Sequence, residues 1–548
     1  MTDEVWVAVE SGGPSALSVS EEPIAERINR VGRDQSELEA FYKFPTSDAR
    51  HERLNKFYES ELDLLRDQPF ESLDQEAKVD YLLLQNHLKR SLRTLELDGA
   101  RDAEFAAFVQ PFTAPIRDWV QTRMEVRAIH PQEVAASFDA ILHKVHLCRQ
   151  LVGEAKPGQY SKAAGYRAAK TIERIRGDLG EMFAFYQGYD PLFDWWVREP
   201  YGQLDAALAA LPGFVRERLA GIEPGRDDVI VGEPIGRDGL LAELEAEMIP
   251  FSPEELLRIA DKEYAWCEAR MVEASRELGF GDTWRDALEH VKGRYEPPGS
   301  QPLFIKSLVD EGTQYVEKHE LVSVPPLAKE AIRMYMIPPE AQKHEPRRQA
   351  HVDAWQQPPF RKSHRVSRDD TGAPPAALRG RPSAPLSAHV LDAVLHRGLG
   401  AVLGDGVLGS RRLLRFPEDR IGSLFWRMHR CARIVFSLKF HLGQMTPEEC
   451  VELLVSWVGH ERATAEGEVR RSFNGDYSPL YQAGYLLGAL QLWKLREETV
   501  GQGLCPERVF HDRILNANMM PIELLRALLL GQELNRDFKT TWRFYEGI

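Results

Sequence analysis

The stretch RLNKFYESELDLLR, residues 53–66, decides the fold class. Its apolar side chains recur at helical spacing and form one stripe: Leu54, Phe57, Tyr58, Leu62 and Leu65. This recurrence is typical of an amphipathic helix that buries one face. Residues 78–95 repeat the pattern, and their pairs and triplets of leucine predict helices that are packed on more than one side.

Helix starts further along the chain support the same fold class. Ser252 can accept a hydrogen bond from the third helical amide, Pro253 fits the first helical position, and Glu255 can reach back to the cap. Gly279 is expected to end this helix after about Leu278. Thr446 begins a second sequence of the same kind.

Residues 131–152 and 161–186 also have helical patterning, whereas strand patterns are scarce. The sequence contains neither a GxGxxG motif nor a GxxxxGK[ST] phosphate loop. The predicted fold class is therefore mainly α. The aromatic segment DPLFDWWV, residues 190–197, is expected to pack in the core rather than to stack on a ligand.

The composition excludes several classes of function. The chain has 548 residues, 43% hydrophobic and 28% charged residues, which is ordinary for a soluble globular protein of more than one lobe. A net charge of −15 argues against a nucleic-acid partner, because phosphate binding requires a basic face. The five cysteines lie far apart without a CxxC pair, so we expect buried thiols rather than a zinc knuckle or disulfide framework.

Residues 1–20 are predicted to be a loose leader. They are acidic at the start and lack a basic region followed by a long apolar core, so we expect no signal peptide. No apolar run is long enough to span a membrane, and we expect no membrane partner. The expected location is cytoplasmic, with the alternative that a processed or truncated start hides an export signal.

Residues 344–415 differ from the rest of the chain. The apolar period is lost and the composition turns to Arg, Pro, Ala, Gly and Ser, which predicts a disordered basic loop. A loop of this length inside a compact domain argues against a simple assignment. The predicted organisation is an N-terminal helical lobe over 21–343, this aberrant stretch over 344–415, and a C-terminal helical lobe over 416–548.

Four C-terminal segments resemble one family: RCARIVFSLKFH (430–441), EVRR (468–471), PLYQAGYLLG (479–488) and FHDRIL (510–515). Their pattern resembles domain-of-unknown-function family 885, a bacterial group placed with the zincin-type metallopeptidases. N-terminal segments such as 79–85, 279–284 and 324–330 extend the resemblance to nearly everything except 344–415. The resemblance implies a large multi-helix zincin-like architecture with a central cleft and few strands, a zinc cofactor and a peptide-like substrate.

The family carries its zinc site in HExxPGHH and EGWA motifs, and this sequence contains neither. His344-Glu345 and His460-Glu461 lack a second histidine at ligand spacing, so both are interpreted as surface pairs. We therefore predict no metal ligands and no bound zinc for the chain as written.

Both motifs return when the coding sequence is shifted by one base. With free choice of third codon positions, residues 350–358 can be read as LMSMRGNN, 367–376 as HETIPGHHL and 397–406 as EGWALYWEM. All three segments require the same one-base shift, and they follow one another in the order found in the family. The normal reading frame resumes at Phe416. We infer that 344–415 is a frame-shifted translation, caused either by a sequence or gene-model error or by a lesion in a pseudogene.

The resemblance also implies site residues outside that stretch. His441 and Tyr485 match family positions on two helices and are predicted to be catalytic, as donors to an oxyanion. Arg430 and Arg433 are predicted to bind substrate. The alternatives are that Tyr485 is a plain core residue and that His441 caps a helix end.

Three functions compete at this stage. The first is a zinc-dependent peptidase-like hydrolase by ancestry, inactive as written because its motifs are missing. The second is a non-catalytic helical binding or scaffold protein. A hydrolase of another class is the weakest, because the sequence has no GxSxG elbow and no Cys–His arrangement. The sequence does not fix an oligomeric state.

Overall fold

The computed structural model describes residues 22–226, 229–294, 297, 299–331, 416–473, 477–517 and 519–548. Over these ranges the chain is mainly helical and contains no strand, which confirms the predicted fold class. The leader over 1–20, the pair His344-Glu345 and the stretch 344–415 lie outside the described residues.

The helices before that stretch are α1 Ile24–Phe41, α2 Asp48–Arg66, α3 Gln75–Met124, α4 Pro131–Glu154, α5 Lys162–Gln187, α6 Pro191–Val215, α7 Gly236–Ala246, α8 Pro253–Glu277, α9 Trp284–Lys292, α10 Gln301–Lys318 and α11 Pro326–Ala331. After it come α12 Pro417–His441, α13 Pro447–Leu453, α14 Arg462–Phe473, α15 Tyr481–Thr499, α16 Glu507–Asn516 and α17 Ile522–Leu530. The turns that follow α6 and α13, Arg216–Ala220 and Leu454–Val458, are π-helical.

Helix α3 links two hydrophobic cores. It has 50 residues, which corresponds to a length of about 75 Å. Its first half packs with α1, α2 and C-terminal helices, whereas its second half joins α4, α5 and α6 in a bundle with a core of its own. The stripe that begins at Leu54 faces the first of these cores, as its periodicity predicts.

Helix α12 lies at the centre of the C-terminal region, and most of its residues are buried. It packs along α8 and also contacts α15. Its apolar side chains contribute to the first core and to a third core shared with α8, α9, α13 and α14. Helices from both sides of 344–415 therefore share two cores.

The predicted helix starts are confirmed. Ser252 accepts from the amide of Glu255, and the Glu255 side chain accepts from the amide of Ser252. Thr446 and Glu449 form the same reciprocal cap. Helix α8 ends at Glu277, and Gly279 follows with a φ of 88° that glycine adopts readily.

The expectation that the aromatic segment 190–197 packs in the core is wrong for its two tryptophans. Phe193 and Val197 are fully buried, but Trp195 is 80% exposed and Trp196 is 43% exposed. Phe193 and Val197 are four residues apart and so face the bundle together, whereas the tryptophans project from the other faces of α6.

Candidate functional site

Three C-terminal helices bring a set of polar side chains together inside the protein. We call this set of side chains the Glu468 cluster. The three helices are α12, α14 and α15, and one further side chain comes from the segment between α13 and α14. The members of the cluster are His429, Arg433, His460, Glu468, Arg471 and Tyr485. The helical spacing of four residues between His429 and Arg433, and of three between Glu468 and Arg471, places each pair on one face.

The carboxylate of Glu468 is shared by two guanidinium groups. Arg433 donates to Oε1 of Glu468 from Nε at 2.8 Å and approaches the same oxygen with Nη2 at 2.5 Å. Arg471 donates to the other oxygen, Oε2. Glu468 and Arg433 are both buried, whereas the Arg471 side chain is 40% exposed to solvent.

These charges determine the ionisation of the cluster. Burial by itself raises the pKa of Glu468, but the charges of Arg433 and Arg471 outweigh it and hold that pKa well below its usual range. Burial lowers the pKa of Arg433 to about 10, although Glu468 opposes this change. Both guanidiniums and the carboxylate are therefore charged at neutral pH, which leaves one more positive than negative charge on these three groups.

His429 and His460 form a buried pair beside Glu468. The Nε2 of His460 lies 2.8 Å from Nδ1 of His429, and Nε2 of His429 lies 3.7 Å from Oε1 of Glu468. Burial lowers the pKa of His429 to about 3, and Arg433 adds to this effect, so the imidazole is neutral. The interpretation of His460-Glu461 as a surface pair is wrong for His460. The π-helical turn that precedes it places its ring against His429 of α12, whereas Glu461 is exposed and pairs with Lys292.

Tyr485 lies at the edge of this cluster. The guanidinium of Arg433 is 4.7 Å from the centre of the Tyr485 ring, and the Tyr485 hydroxyl donates to the Tyr481 hydroxyl at 3.3 Å. Tyr481 in turn stacks on Tyr477 at 4.1 Å. Arg430 is partly buried on α12, and its charge adds to the lowering of the Arg433 pKa. Three of the four predicted site residues, Arg430, Arg433 and Tyr485, thus lie in or beside the Glu468 cluster.

The fourth predicted residue, His441, lies elsewhere on α12. It is the last residue of the helix, about 12 Å along the axis from Arg433. Its ring is buried beside Phe440 and Phe473, and Nδ1 has no hydrogen-bond partner among the described residues. Burial, reinforced by the charge of Arg101, lowers the pKa of His441 to about 3. The ring is therefore neutral, unlike the cation that a helix-end cap would favour.

The described residues do not fit the zinc ion that the resemblance implies. No group of three or more His, Cys, Asp or Glu side chains within the described ranges could hold a metal ion. Within the Glu468 cluster, Nδ1 of His429 faces the other imidazole, and both oxygens of Glu468 accept from guanidiniums. A zinc site needs at least three free protein ligands around one point.

The sequence-based prediction did not assign His429, His460, Glu468 and Arg471 to the site. The spacing of His429 to Arg433 and of Glu468 to Arg471 was a usable signal, because each pair lies on one helical face. The sequence offered no comparable signal for the contact between α12 and His460, which depends on the turn after α13.

Comparison with known proteins gives a family for this region. Residues 408–529 match DUF885, a bacterial protein family of unknown function. The matched region includes all six members of the Glu468 cluster. No curated protein matches the chain.

Two solved structures share the fold over nearly the whole chain. The first is a protein of unknown function from Shewanella oneidensis that is provisionally classed as a lipoprotein. It has 14% identity and a TM-score of 0.60, covering 94% of this chain and 100% of the other. A protein from Colwellia psychrerythraea with the same provisional class has 13% identity and a TM-score of 0.53, covering 94% and 99%. No described helix is long and apolar enough to cross a membrane.

Proposed function

We propose that the chain as written binds the carboxylate of a peptide-like ligand at the Glu468 cluster and does not hydrolyse it. The fold then descends from a zinc-dependent peptidase-like hydrolase of zincin-like architecture, with a central cleft that the cluster lines. One observation carries the proposal: Arg433 and Arg471 share the single buried carboxylate of Glu468.

The charge balance favours an anionic ligand. A buried or partly buried charge without a partner is costly, and two guanidiniums on one carboxylate leave a surplus of positive charge. A ligand carboxylate would neutralise that surplus. Because burial lowers the pKa of His429 to about 3, this imidazole adds no positive charge to the cluster.

The geometry favours a carboxylate within this class. A guanidinium presents a planar fork of donors that matches the two oxygens of a carboxylate. Arg471 donates to Glu468 from Nη2, and its Nε is buried without a hydrogen-bond partner among the described residues. The side chain as a whole is partly exposed. The tyrosines beside Arg433 could cover the apolar part of a peptide-like ligand.

The lack of hydrolysis in this proposal follows from the missing motifs. The HExxPGHH and EGWA readings occur only in the shifted frame of 344–415, and the described residues offer no metal site in their place.

The similar solved structures bear on the cellular location, because proteins classed as lipoproteins are exported. We therefore propose an envelope location as the alternative to the cytoplasm, and cell fractionation would distinguish the two.

Calorimetry tests the binding proposal directly. The purified chain is titrated with a short peptide that has a free terminal carboxylate and with the same peptide in amidated form. We expect only the free carboxylate to bind, and we expect Arg471→Gln to weaken binding by about tenfold or more, since charge-assisted hydrogen bonds contribute roughly 1.5–3 kcal/mol.

The matched control is Arg462→Gln, an exposed arginine on the same helix that pairs with Glu448. It should leave binding unchanged. Equal binding of the amidated peptide, or an equal loss in both variants, would show that the cluster is not the carboxylate site. Melting temperatures of both variants separate a binding loss from unfolding.

A frame-restored chain tests the ancestry. We expect it to gain zinc and peptidase activity, whereas the chain as written should show neither. In the restored chain, His441→Ala and Tyr485→Phe should each lower kcat by about 10²–10³ if they donate to an oxyanion. Loss of activity only in proportion to lost zinc or lost folding would make both residues structural.

A further inference from the structure

Large apolar side chains are exposed at one end of the α3–α6 bundle, where α3 and α5 end and α4 and α6 begin. We call residues 123–130 and 185–199 the bundle tip. Its exposed apolar side chains are Val126 at 90%, Tyr189 at 83%, Trp195 at 80%, Leu192 at 65%, Phe185 at 55% and Trp196 at 43%. Single exposed apolar side chains are common on protein surfaces. A contiguous group of them is unusual and marks an interaction site.

The two segments of the bundle tip lie side by side. The guanidinium of Arg123, near the end of α3, sits 5.0 Å from the centre of the Phe185 ring, near the end of α5. On α6, Leu192, Trp195 and Trp196 follow helical spacing of three and four residues and so form one stripe. The apolar groups therefore belong to one continuous end of the bundle rather than to separate places.

The polar groups of the bundle tip are largely engaged with one another. The Asp190 side chain accepts from the amide of Leu192 at 2.9 Å and caps α6. Two ion pairs also lie here, between Asp194 and Arg198 and between Glu125 and Arg127. Because these pairings occupy the charged side chains beside the rings, the exposed surface is dominated by apolar area, which favours an apolar partner over a sugar or an extended peptide.

We propose that the bundle tip inserts into the interfacial layer of a zwitterionic phospholipid bilayer. Tryptophan and tyrosine favour this layer because their rings are apolar while their N–H and O–H groups remain hydrated. Three arginines and four carboxylates in the bundle tip nearly cancel, so the attraction does not depend on anionic lipid. This proposal departs from the sequence-based expectation of no membrane partner, because periodicity concealed the exposure of Trp195.

Flotation with phosphatidylcholine vesicles tests the proposal on the full chain. We expect the chain to float with the vesicles at low salt and equally at about 0.5 M salt, where charge interactions are screened. Leu192→Ser/Trp195→Ser should lower the bound fraction about tenfold, since the burial of apolar side chains drives interfacial binding. The control is Leu303→Ser/Trp266→Ser, which changes an exposed leucine and a half-exposed tryptophan on other helices.

Four results would overturn the proposal. The first two are no flotation of the chain and equal flotation of both double variants. The third is binding that requires phosphatidylglycerol and disappears with salt, which would assign it to charge. The fourth is a concentration-dependent dimer, measured by light scattering without vesicles and lost only in the tip variant, which would make a second copy the partner of this surface.

Discussion

The Glu468 cluster and the bundle tip depart from ordinary burial in opposite directions. The cluster places a carboxylate, two imidazoles and the guanidinium of Arg433 inside the protein, with the guanidinium of the partly exposed Arg471 beside them. The bundle tip places tryptophan, tyrosine and leucine at the surface. In both regions the described neighbours leave an imbalance, surplus positive charge in one and unburied apolar area in the other.

The difference predicts how each region responds to mutation. Charges inside the protein depend on one another, so removal of one leaves its partners buried and uncompensated. Exposed apolar side chains have few neighbours, so their removal hardly changes the folded state. Mutations in the Glu468 cluster should therefore affect stability first, whereas mutations in the bundle tip should affect binding alone.

The largest effect is expected for Glu468→Ala. It leaves Arg433 and Arg471 without their shared carboxylate, and breaking a buried pair typically costs about 3–5 kcal/mol of unfolding free energy. Glu461→Ala, which removes an exposed pair with Lys292, should cost less than about 1 kcal/mol. Urea denaturation measures both values, and similar costs for the two variants would contradict the buried arrangement.

The second largest difference in unfolding free energy is expected between variants of two nearby residues in α6. Phe193→Ala removes a fully buried ring from the bundle core and should cost about 3–4 kcal/mol. Trp195→Ala should change the unfolding free energy by less than about 0.5 kcal/mol, because the side chain is mostly exposed. Thermal unfolding of the pair checks this, and a large loss for Trp195→Ala would place that side chain in the core after all.

Acidification should destabilise the C-terminal region through its buried imidazoles. The pKa values of His429 and His441 are lowered to about 3, so between about pH 6.5 and pH 3 the unfolded state takes up protons that the folded state does not. The free energy of unfolding should therefore decrease as the pH is lowered through that window. The decrease is at most about 1.4 kcal/mol per pH unit for each group. His441→Gln should reduce the slope measured by denaturation at pH 7, 6 and 5, whereas the exposed His143→Gln should preserve it.

The smallest effect is expected for Tyr485→Phe in the chain as written. This change removes the hydroxyl that donates to Tyr481 and should cost about 0.5–1.5 kcal/mol. Tyr189→Phe in the bundle tip, an exposed tyrosine, provides the comparison and should be neutral. Chemical denaturation resolves the difference, and equal values would mean that the Tyr485 hydroxyl contributes nothing to the folded state.

Much of the local structure could be predicted from the sequence. The stripe from Leu54 to Leu65 and the reciprocal caps at Ser252 and Thr446 are confirmed, because helix periodicity and capping depend on residues within one turn. The site was predicted less completely. Arg433 contacts Tyr485 and Arg430 lies one turn away on α12, but His441 lies about two turns from Arg433 and His460 was assigned to the surface.

The sequence by itself determined the helical class, the helix starts and the resemblance of the C-terminal segments to a family. The hypothesis of a shifted frame within 344–415 also rests on the sequence alone. Only the tertiary structure decided which side chains share an environment. It turned His460 onto α12, gave Glu468 two guanidinium partners and left Trp195 outside the bundle. The physical reason is range: periodicity and capping act along a few residues, whereas burial and charge pairing depend on which helices pack together.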